Sequence, residues 1–270
     1  MVKLKVKKEP PLRQVELFVQ QQEQELNMQN VNSVRYDLAF KYRDREFVID
    51  KSGVKCLEII GAQFVADENS IFGEVNEDYV QRELDWYLST SLNVNDIPAP
   101  IPAIWKQVAS PDGFINSNYG WAIWHKDNHL QFANAIRELQ GNRDSRRAQM
   151  IYTRPSMWED YSKNGMSDFM CTTAVQYFIR DNKLVVYVTM RSNDAVFGYK
   201  NDYAWQKHVQ KMVAAPLNVE CGDIIWNVGS LHIYEPQFYL VQHFIRGGDT
   251  AITKKEFDIL YENYIPNIFE

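Results

Sequence analysis

The sequence predicts an α+β fold, in which a large mixed β-sheet is backed by helices. Strand-like runs rich in β-branched and aromatic residues alternate with segments of helical spacing, and no internal repeat is visible. The chain has 270 residues, of which 45% are hydrophobic, and this is enough to bury one sizeable core. We therefore expect a single large domain, which we place at residues 46–270.

The first 45 residues differ in composition from the rest of the chain. They open with a lysine-rich run and contain a glutamine-rich stretch from Gln20 to Gln29, with only a thin apolar stripe. We expect an N-terminal extension at residues 1–45 that is either an exposed helix or partly ordered. The compact domain is predicted to begin near Phe47, or one helix earlier.

The elements of the domain follow from local patterns. Val80, Leu84 and Leu88 recur at helical spacing, whereas the alternating prolines at 98, 100 and 102 exclude both helix and ladder. In chain order we expect strands at 57–60 and 64–65, a helix at 78–88, a loop at 97–102, a short helix at 132–141, strands at 150–153, 174–180 and 184–190, a helix at 203–213, and a strand at 223–228.

Charge and cysteine content exclude several classes of protein. The net charge of −6 disfavours a general nucleic-acid coat or a protein of anionic membranes, so no direct DNA binding is expected. No apolar run approaches the roughly 20 residues that cross a bilayer. The basic N-terminus lacks the apolar stretch of a signal peptide. The three cysteines form no CxxC pair, which predicts neither a disulfide framework nor a cysteine zinc site. We expect a soluble cytoplasmic protein.

Cys171 is a candidate for nucleophilic chemistry. It begins an apolar strand-like run, where a cysteine is more often buried packing than a nucleophile. A thiolate nucleophile needs cations or dipoles close by. Arg146, Arg147 and Arg191 are candidate cations, which could bind phosphate or lie in solvated turns. Spacing alone places none of them near Cys171.

The segment 229–234 is a candidate for sugar recognition. If it is a strand, His232 and Tyr234 share one face, and Leu231 and Ile233 share the other. Two hydrogen-bonding tips on one face suit a sugar hydroxyl. A pair that caps a hydrated sheet face is, on this segment alone, the more common case.

Taken together, these segments resemble the thymidylate synthase superfamily, from about Phe47 to Tyr239 and in the same order. Within that superfamily they are most similar to the bacteriophage branch that hydroxymethylates deoxycytidylate (dCMP). The resemblance to that branch is strongest in Arg154–Met157, Met166–Cys171, Met190–Asp194, Asn201–Gln206 and Ile225–His232.

The resemblance implies a role for each matching residue. Cys171 would be the nucleophile, Glu83 would organise water and proton transfers, and Asp202 would read the base. The implied phosphate ligands are Lys51, Arg191 and Ser192 of one chain with Arg146 and Arg147 reaching from the partner subunit. The remaining matches are Gln176 near the nucleotide, His232 and Tyr234 at the deoxyribose hydroxyl, and Trp105, Tyr119 and Asp194 at the folate and the cleft.

Three positions depart from the thymidylate synthase pattern. Lys51 stands where those enzymes carry arginine, and Thr172 follows the nucleophile where they carry histidine. Asp202 stands where they carry the asparagine that reads uracil. Cytosine offers an amino group at position 4 and an acceptor nitrogen at position 3. A carboxyl group that shares a proton can satisfy both, whereas an amide of fixed orientation leaves one of them mismatched.

The resemblance thus implies conversion of dCMP to 5-hydroxymethyl-dCMP with 5,10-methylenetetrahydrofolate as co-substrate and no metal. It also implies a homodimer that is joined through a sheet face, and a place in a nucleotide-synthesis complex is possible. Two alternatives stay open at this point. One is the same chemistry on dUMP, giving hydroxymethyl-dUMP or thymidylate, and the other is a catalytically silent nucleotide-binding partner.

Overall fold

The computed structural model describes residues 29–261 of the chain. Its strands are β1 (Val48–Ile49), β2 (Lys55–Val65), β3 (Gln149–Ile151), β4 (Thr172–Arg180), β5 (Lys183–Asp194) and β6 (Glu220–Tyr234). Its α-helices are α1 (Val31–Arg43), α2 (Glu77–Ser89), α3 (Ala103–Val108), α4 (Tyr119–Trp124), α5 (Gln131–Gly141), α6 (Met157–Asp160), α7 (Gly198–Leu217), α8 (Phe238–Ile245) and α9 (Lys254–Tyr261).

The strands form one six-stranded mixed sheet in the order β1-β2-β6-β5-β4-β3. β5 and β6 are parallel, and the other neighbours are antiparallel. The predicted α+β fold with a mixed sheet is therefore confirmed. β6 continues to Tyr234, six residues beyond the strand predicted at 223–228, because Gly229 interrupts the apolar pattern without interrupting the ladder.

Helix α1 lies in the segment that was predicted to be an extension, yet it packs into the core. Asn30 caps it in a reciprocal capping box with Ser33, and Val31 and Leu38 are fully buried. The helix contacts β2 and α8. The packed part of the chain thus includes this helix, in agreement with the earlier of the two predicted starts, and residues 1–28 of the predicted extension lie outside the described residues.

Helix α7 is the central helix of the core, where it packs against β5 and β6. Its face towards the sheet carries the buried Tyr199 and Tyr203, and the fully buried indole of Trp226 of β6 meets both rings. Trp205, also fully buried, packs on the other side against Tyr119 and Trp124. Burial of one such aromatic side chain contributes about 1.5–3 kcal/mol. The first turn of α7 is therefore held firmly over the ends of the central strands.

In the three central strands, the alternation of buried and exposed positions shifts by one residue. The shift occurs at one row of paired residues, formed by Gly61 of β2, Gly229 of β6 and Arg191 of β5. Gly61 has a φ of +69°, and a Cβ at Gly229 would lie 2.8 Å from the backbone oxygen of Arg191. In β5 and β6, even-numbered positions before the row are buried, for example Met190 and Val228. After the row, odd-numbered positions are buried, for example Asn193 and Leu231. Beyond the row, Ser192, Asp194, His232 and Tyr234 are therefore only half-buried.

Candidate active site

Cys171 lies directly before β4, beside Arg191 of the neighbouring strand β5. The Arg191 Nη2 atom donates to the Cys171 sulfur at 3.5 Å. The guanidinium is fixed because it also donates to the carbonyls of Phe169 and Met170, at 2.5 and 3.1 Å. Burial raises the pKa of the Cys171 thiol to about 11, and the charge of Arg191 opposes this shift. The structure therefore brings together a cysteine and an arginine whose proximity the sequence could not establish.

The loop that carries Cys171 is anchored by Asp168, which sequence reasoning did not single out. The buried carboxylate of Asp168 accepts from the backbone N–H groups of Asn116 and Ser117 at 2.7 and 2.8 Å, and from the Ser117 hydroxyl at 2.6 Å. Asn116 in turn donates to the Asp168 carbonyl at 3.1 Å. These bonds tie the loop that carries Cys171 to the segment before α4, and only the tertiary fold reveals them.

Glu83 is buried on α2 and belongs to a polar chain of three side chains. The Tyr79 hydroxyl donates to Glu83 Oε1 at 2.5 Å, and the Trp105 indole N–H donates to the Tyr79 hydroxyl at 2.9 Å. Burial raises the pKa of Glu83 to about 7, while hydrogen bonds from Tyr79 and Trp105 act in the opposite direction. A carboxyl group with a pKa near neutrality suits proton transfer. Tyr79 was missed in the sequence, although its position four residues before Glu83 puts both on one helix face.

Asp202 lies in the first turns of α7, over the end of β5. Its Oδ2 atom accepts from Asn193 Nδ2 at 2.7 Å, and Asn193 Oδ1 accepts from the Trp226 indole N–H at 3.2 Å. Burial raises the pKa of Asp202 to about 8, and the nearby charge of Glu83 raises it further, whereas hydrogen bonds from Tyr119 and Asn193 lower it. Asp202 is therefore a neutral acid at neutral pH. Neither Asn193 nor Trp226 was predicted as a site residue.

The ends of β5 and β6 bring further predicted residues to the same place. Asp194 is paired with His232 across the two parallel strands, and the rings of His232 and Tyr234 meet edge to face at 5.0 Å between centroids. One carboxylate oxygen of Asp194 accepts from the backbone N–H groups of Val196 and Phe197, at 2.6 and 2.8 Å. The pKa of Tyr234 is raised mainly by burial, with smaller contributions from surrounding acidic groups that include Asp194 and Cys171. The predicted common face of His232 and Tyr234 is thus confirmed.

Lys51 is exposed at the tip of a turn between β1 and β2. Asp50 Oδ1 accepts from the backbone N–H groups of Ser52 and Val54, at 2.8 and 3.0 Å, and Gly53 has a φ of +82°. Since Cys56 pairs with Tyr234, this turn lies at the same end of the sheet as His232 and Tyr234. The side chain of Lys51 projects from a rigid turn.

Three predicted residues lie apart from this cluster, at the β3 side of the sheet. Arg147 is exposed and donates to Glu138 of α5 through Nη2 and Nε, at 2.9 and 3.0 Å. Arg146 is exposed, and its carbonyl accepts from Gln176 Nε2 at 2.6 Å. Within one chain, Arg146, Arg147 and Gln176 therefore do not join Cys171 and Arg191.

Between residues 29 and 261, no three histidine, cysteine, aspartate or glutamate side chains are grouped so that they could bind a metal ion. Over the same range, no helix combines the length and the apolar character that crossing a bilayer requires.

Comparisons with known proteins agree with this geometry. A family model described as thymidylate synthase matches residues 44–260. The chain is 56% identical over 234 residues to the deoxycytidylate 5-hydroxymethyltransferase of Enterobacteria phage T4, a match that covers 84% of this chain and 95% of that protein. The enzyme of the same name from Enterobacteria phage T2 is 56% identical over 235 residues, covering 84% of this chain and 96% of that protein. A thymidylate synthase from Francisella tularensis subsp. holarctica (strain LVS) is 27% identical over 243 residues, covering 80% of this chain and 89% of that protein.

These matches run across the strands and helices that assemble the Cys171 cluster. The predicted resemblance is therefore confirmed, and the chain belongs to the thymidylate synthase family.

Proposed function

We propose that this protein is a deoxycytidylate 5-hydroxymethyltransferase, which converts dCMP, 5,10-methylenetetrahydrofolate and water to 5-hydroxymethyl-dCMP and tetrahydrofolate. The observation that carries the proposal is the half-buried Asp202, whose Oδ2 is held by Asn193 at 2.7 Å and whose pKa is raised to about 8, which favours the protonated form at neutral pH. A neutral carboxyl group offers one donor and one acceptor, which match the ring nitrogen and the amino group of cytosine. The high identity to phage enzymes of that name supports the same assignment.

The proposed chemistry begins with attack of Cys171 on carbon 6 of the pyrimidine, which makes carbon 5 nucleophilic. Burial keeps Cys171 a thiol, so the attack requires loss of its proton, and the guanidinium of Arg191 at 3.5 Å stabilises the thiolate. The folate supplies the methylene carbon that carbon 5 attacks. Glu83 manages the later proton transfers: carbon 5 loses a proton, tetrahydrofolate leaves, water adds to the resulting exocyclic methylene, and Cys171 departs.

The cleft also fits the ring system of a folate. Trp105 lies half-buried on α3 with its indole held by Tyr79, and Phe197 exposes 55% of its surface beside Asp194. Asp194 uses one oxygen to hold the backbone N–H groups of Val196 and Phe197 before α7, and its other oxygen can accept from N–H donors of a ligand. Aromatic walls with a carboxylate suit a planar ring that carries N–H groups. We assign Trp105, Tyr119 and Asp194 to this part of the cleft.

Substrate binding in this proposal needs two subunits. Lys51, Arg191 and Ser192 would bind the phosphate from one chain, and His232 and Tyr234 would bind the deoxyribose hydroxyl. Arg146 and Arg147, which lie apart from this cluster, would complete the phosphate site of the partner subunit. Gln176, bonded to the Arg146 carbonyl, would hold that loop at the nucleotide. A homodimer in the cytoplasm, or in a host cell's cytoplasm for a phage protein, is the form that we propose.

Product analysis tests the proposal. The purified protein is offered dCMP and dUMP separately with 5,10-methylenetetrahydrofolate, and the nucleotides are identified by mass spectrometry. We expect 5-hydroxymethyl-dCMP from dCMP, with release of tritium from carbon 5 of labelled substrate. A methylated product, or turnover of dUMP alone, would contradict the proposal. Unchanged activity in Cys171→Ala would contradict the covalent mechanism, and complete inactivity of the folded wild type would favour a silent nucleotide-binding protein.

A further inference from the structure

Behind Asp202 lies a buried pair of side chains that the proposed chemistry does not use. Trp226 is fully buried on β6, and Asn193 on β5 is 3% exposed. The Trp226 indole N–H donates to Asn193 Oδ1 at 3.2 Å, and Asn193 Nδ2 donates to Asp202 Oδ2 at 2.7 Å. The three side chains therefore form a directed chain of hydrogen bonds that ends on the base-reading carboxyl group.

The direction of this chain follows from the chemistry of indole. Indole has one N–H and no acceptor, so the side chain opposite it must offer an acceptor. The amide oxygen of Asn193 must therefore face Trp226, and the amide NH2 must face Asp202. A flipped amide would set two donors against each other at Trp226. Because the site is buried, water would not repair that mismatch.

This direction sets which oxygen of Asp202 is held as an acceptor. Oδ2 accepts from Asn193, and the acceptor oxygen of a neutral carboxyl group is ordinarily its carbonyl oxygen, so the proton is placed on Oδ1. The Tyr119 hydroxyl, which also bonds to Asp202, can rotate and so leaves the Oδ1–H group available to the base. Oδ2 keeps a second lone pair. The acid can then donate to the ring nitrogen of cytosine through Oδ1–H and accept from the amino group. Uracil carries an N–H group at that ring position. Two hydrogen-bond donors, this N–H and the Oδ1–H of Asp202, would then face each other without an acceptor.

We propose that Trp226 and Asn193 act as positioning residues that select dCMP over dUMP, because they fix which oxygen of Asp202 carries the proton. This inference rests on the proposed function, and it adds two residues to its specificity. The surroundings of Asn193 agree with a fixed amide. Gly198, the first residue of α7, leaves room for it, since a Cβ there would lie 3.0 Å from Asn193 Nδ2.

The test is Trp226→Phe, which keeps an aromatic ring in the core and removes the N–H. The amide of Asn193 then loses the donor that orients it. We expect the ratio of kcat/KM for dCMP to that for dUMP to fall by about tenfold or more, mainly through a higher KM for dCMP. We also expect the alkaline limb of the pH profile to move, since Asp202 loses a fixed partner.

Trp86→Phe is the matched control. Trp86 is equally buried, and its indole N–H also donates over 3.2 Å, but to the carbonyl of Asn93. It should lose similar stability and keep the wild-type ratio and pH profile. Asn193→Leu provides a second variant, checked for folding by circular dichroism, and it should lower the ratio at least as much as Trp226→Phe does.

An unchanged ratio and pH profile in folded Trp226→Phe overturns the inference, as does an equal drop in Trp86→Phe. Wild-type protein assayed in parallel separates this failure from a failure of the proposed function. If the wild type does not turn over dCMP, the proposed function falls. If the wild type prefers dCMP and Trp226→Phe shares that preference unchanged, only the positioning role falls.

Discussion

Two carboxyl groups at this site, Glu83 and Asp202, share one arrangement at the scale of single residues. Each accepts a hydrogen bond from a polar side chain that is itself held by an indole N–H, from Trp105 in one case and from Trp226 in the other. Burial raises the pKa of both, to about 7 and about 8. Two carboxyl groups of different pKa in one cleft can have different roles: one can transfer protons while the other stays protonated.

The titration of Asp202 predicts an alkaline limit to activity. Since its pKa is raised to about 8, the group donates a proton below that pH and loses it above. We expect kcat/KM for dCMP to fall as pH rises through about 8, measured from initial rates at a series of pH values. Asp202→Asn should lose this limb and should gain relative activity on dUMP, because an amide can satisfy uracil. A limb that persists in Asp202→Asn would assign it to another group.

The same shift predicts the pH dependence of stability. The folded chain retains a proton on Asp202 that the unfolded chain releases near the ordinary pKa of 3.8. Stability from this group is complete below that value and is lost as pH rises towards 8. We expect the free energy of unfolding, measured in urea, to decline less over this range in Asp202→Asn than in the wild type. An identical decline in the two proteins would contradict the shift.

Tyr79→Phe tests the chain that ends on Glu83. The change removes the donor to Glu83 Oε1 and leaves the Trp105 indole N–H without its acceptor. We expect kcat to fall by about ten- to a hundredfold with little change in the KM for dCMP, because Glu83 serves proton transfer. The acidic limb of the pH profile should move upward, since a hydrogen bond that lowers the pKa of Glu83 is lost.

Tyr199→Phe is the control for this variant. It removes another buried hydroxyl, which donates to the Glu68 carbonyl at 2.8 Å. It should leave kcat and the pH profile unchanged. If Tyr79→Phe behaves in the same way as Tyr199→Phe, Tyr79 has no part in the function of Glu83.

At the scale of elements, the start of α7 is the backbone segment that positions several side chains of the site. Asp194 ends β5 and holds the backbone N–H groups of Val196 and Phe197 just before the helix, Gly198 opens the helix, and Asp202 follows one turn later. The strand-to-helix junction therefore sets the distance between Asp194, which we propose for the folate side of the cleft, and Asp202, which we propose for the base side. A small displacement of this turn would move both.

Gly198→Ala probes this junction. Alanine in a helix is ordinarily stabilising relative to glycine by about 0.5–1 kcal/mol. Here the added methyl group would lie 3.0 Å from Asn193 Nδ2 and 3.4 Å from Asp194 Cβ. We expect a several-fold loss of kcat/KM for dCMP without the gain in unfolding free energy that alanine normally brings. Gly141→Ala, at a helix end with nothing within 4 Å of its Cβ, should keep full activity.

The secondary-structure elements and the site residues were predicted from different kinds of sequence evidence. Local spacing predicted α2, β4 and β5, because these patterns are set by neighbours in the chain. Family resemblance supplied Cys171, Glu83 and Asp202 from motifs that are continuous in sequence. Asn193 and Trp226 could not be predicted in the same way, since their roles depend on a contact between two strands and a helix. The buried face of α1 was missed because the helix directly follows the polar stretch from Gln20 to Gln29, and the whole segment 1–45 was interpreted by that composition.

At the scale of the whole molecule, one face of the sheet carries exposed apolar side chains. Ile60 of β2 and Ile151 of β3 expose 73% and 55% of their surfaces. We propose that a second subunit packs on this face. The exposed Arg146 and Arg147 lie at the β3 side of the same sheet. A second subunit packed on this surface would cover the isoleucines and receive the two arginines.

Subunit complementation tests whether the site is shared. Cys171→Ala and the double variant Arg146→Ala/Arg147→Ala should each be nearly inactive. Co-expressed, they form mixed dimers in which one site has both Cys171 and the arginines of the partner. We expect recovery of about a quarter of wild-type activity for random pairing in a twofold dimer.

Arg191 provides the control, because it contacts Cys171 of its own chain. Co-expression of Cys171→Ala with Arg191→Ala yields no complete site and should restore nothing. Recovery in both mixtures, or in neither with dimers verified by sedimentation, would contradict a phosphate site that draws Arg146 and Arg147 from the partner.

The row of Gly61, Gly229 and Arg191 has a consequence for how the protein acquires activity during folding. The row brings together segments far apart along the chain, and such nonlocal pairing forms slowly because long loops must close first. Helices α2 and α7 can form from local contacts before β2, β5 and β6 are in register. We therefore expect activity only after the last strands have paired. In a refolding experiment, the helix content measured by circular dichroism should reach its native value well before enzymatic activity returns.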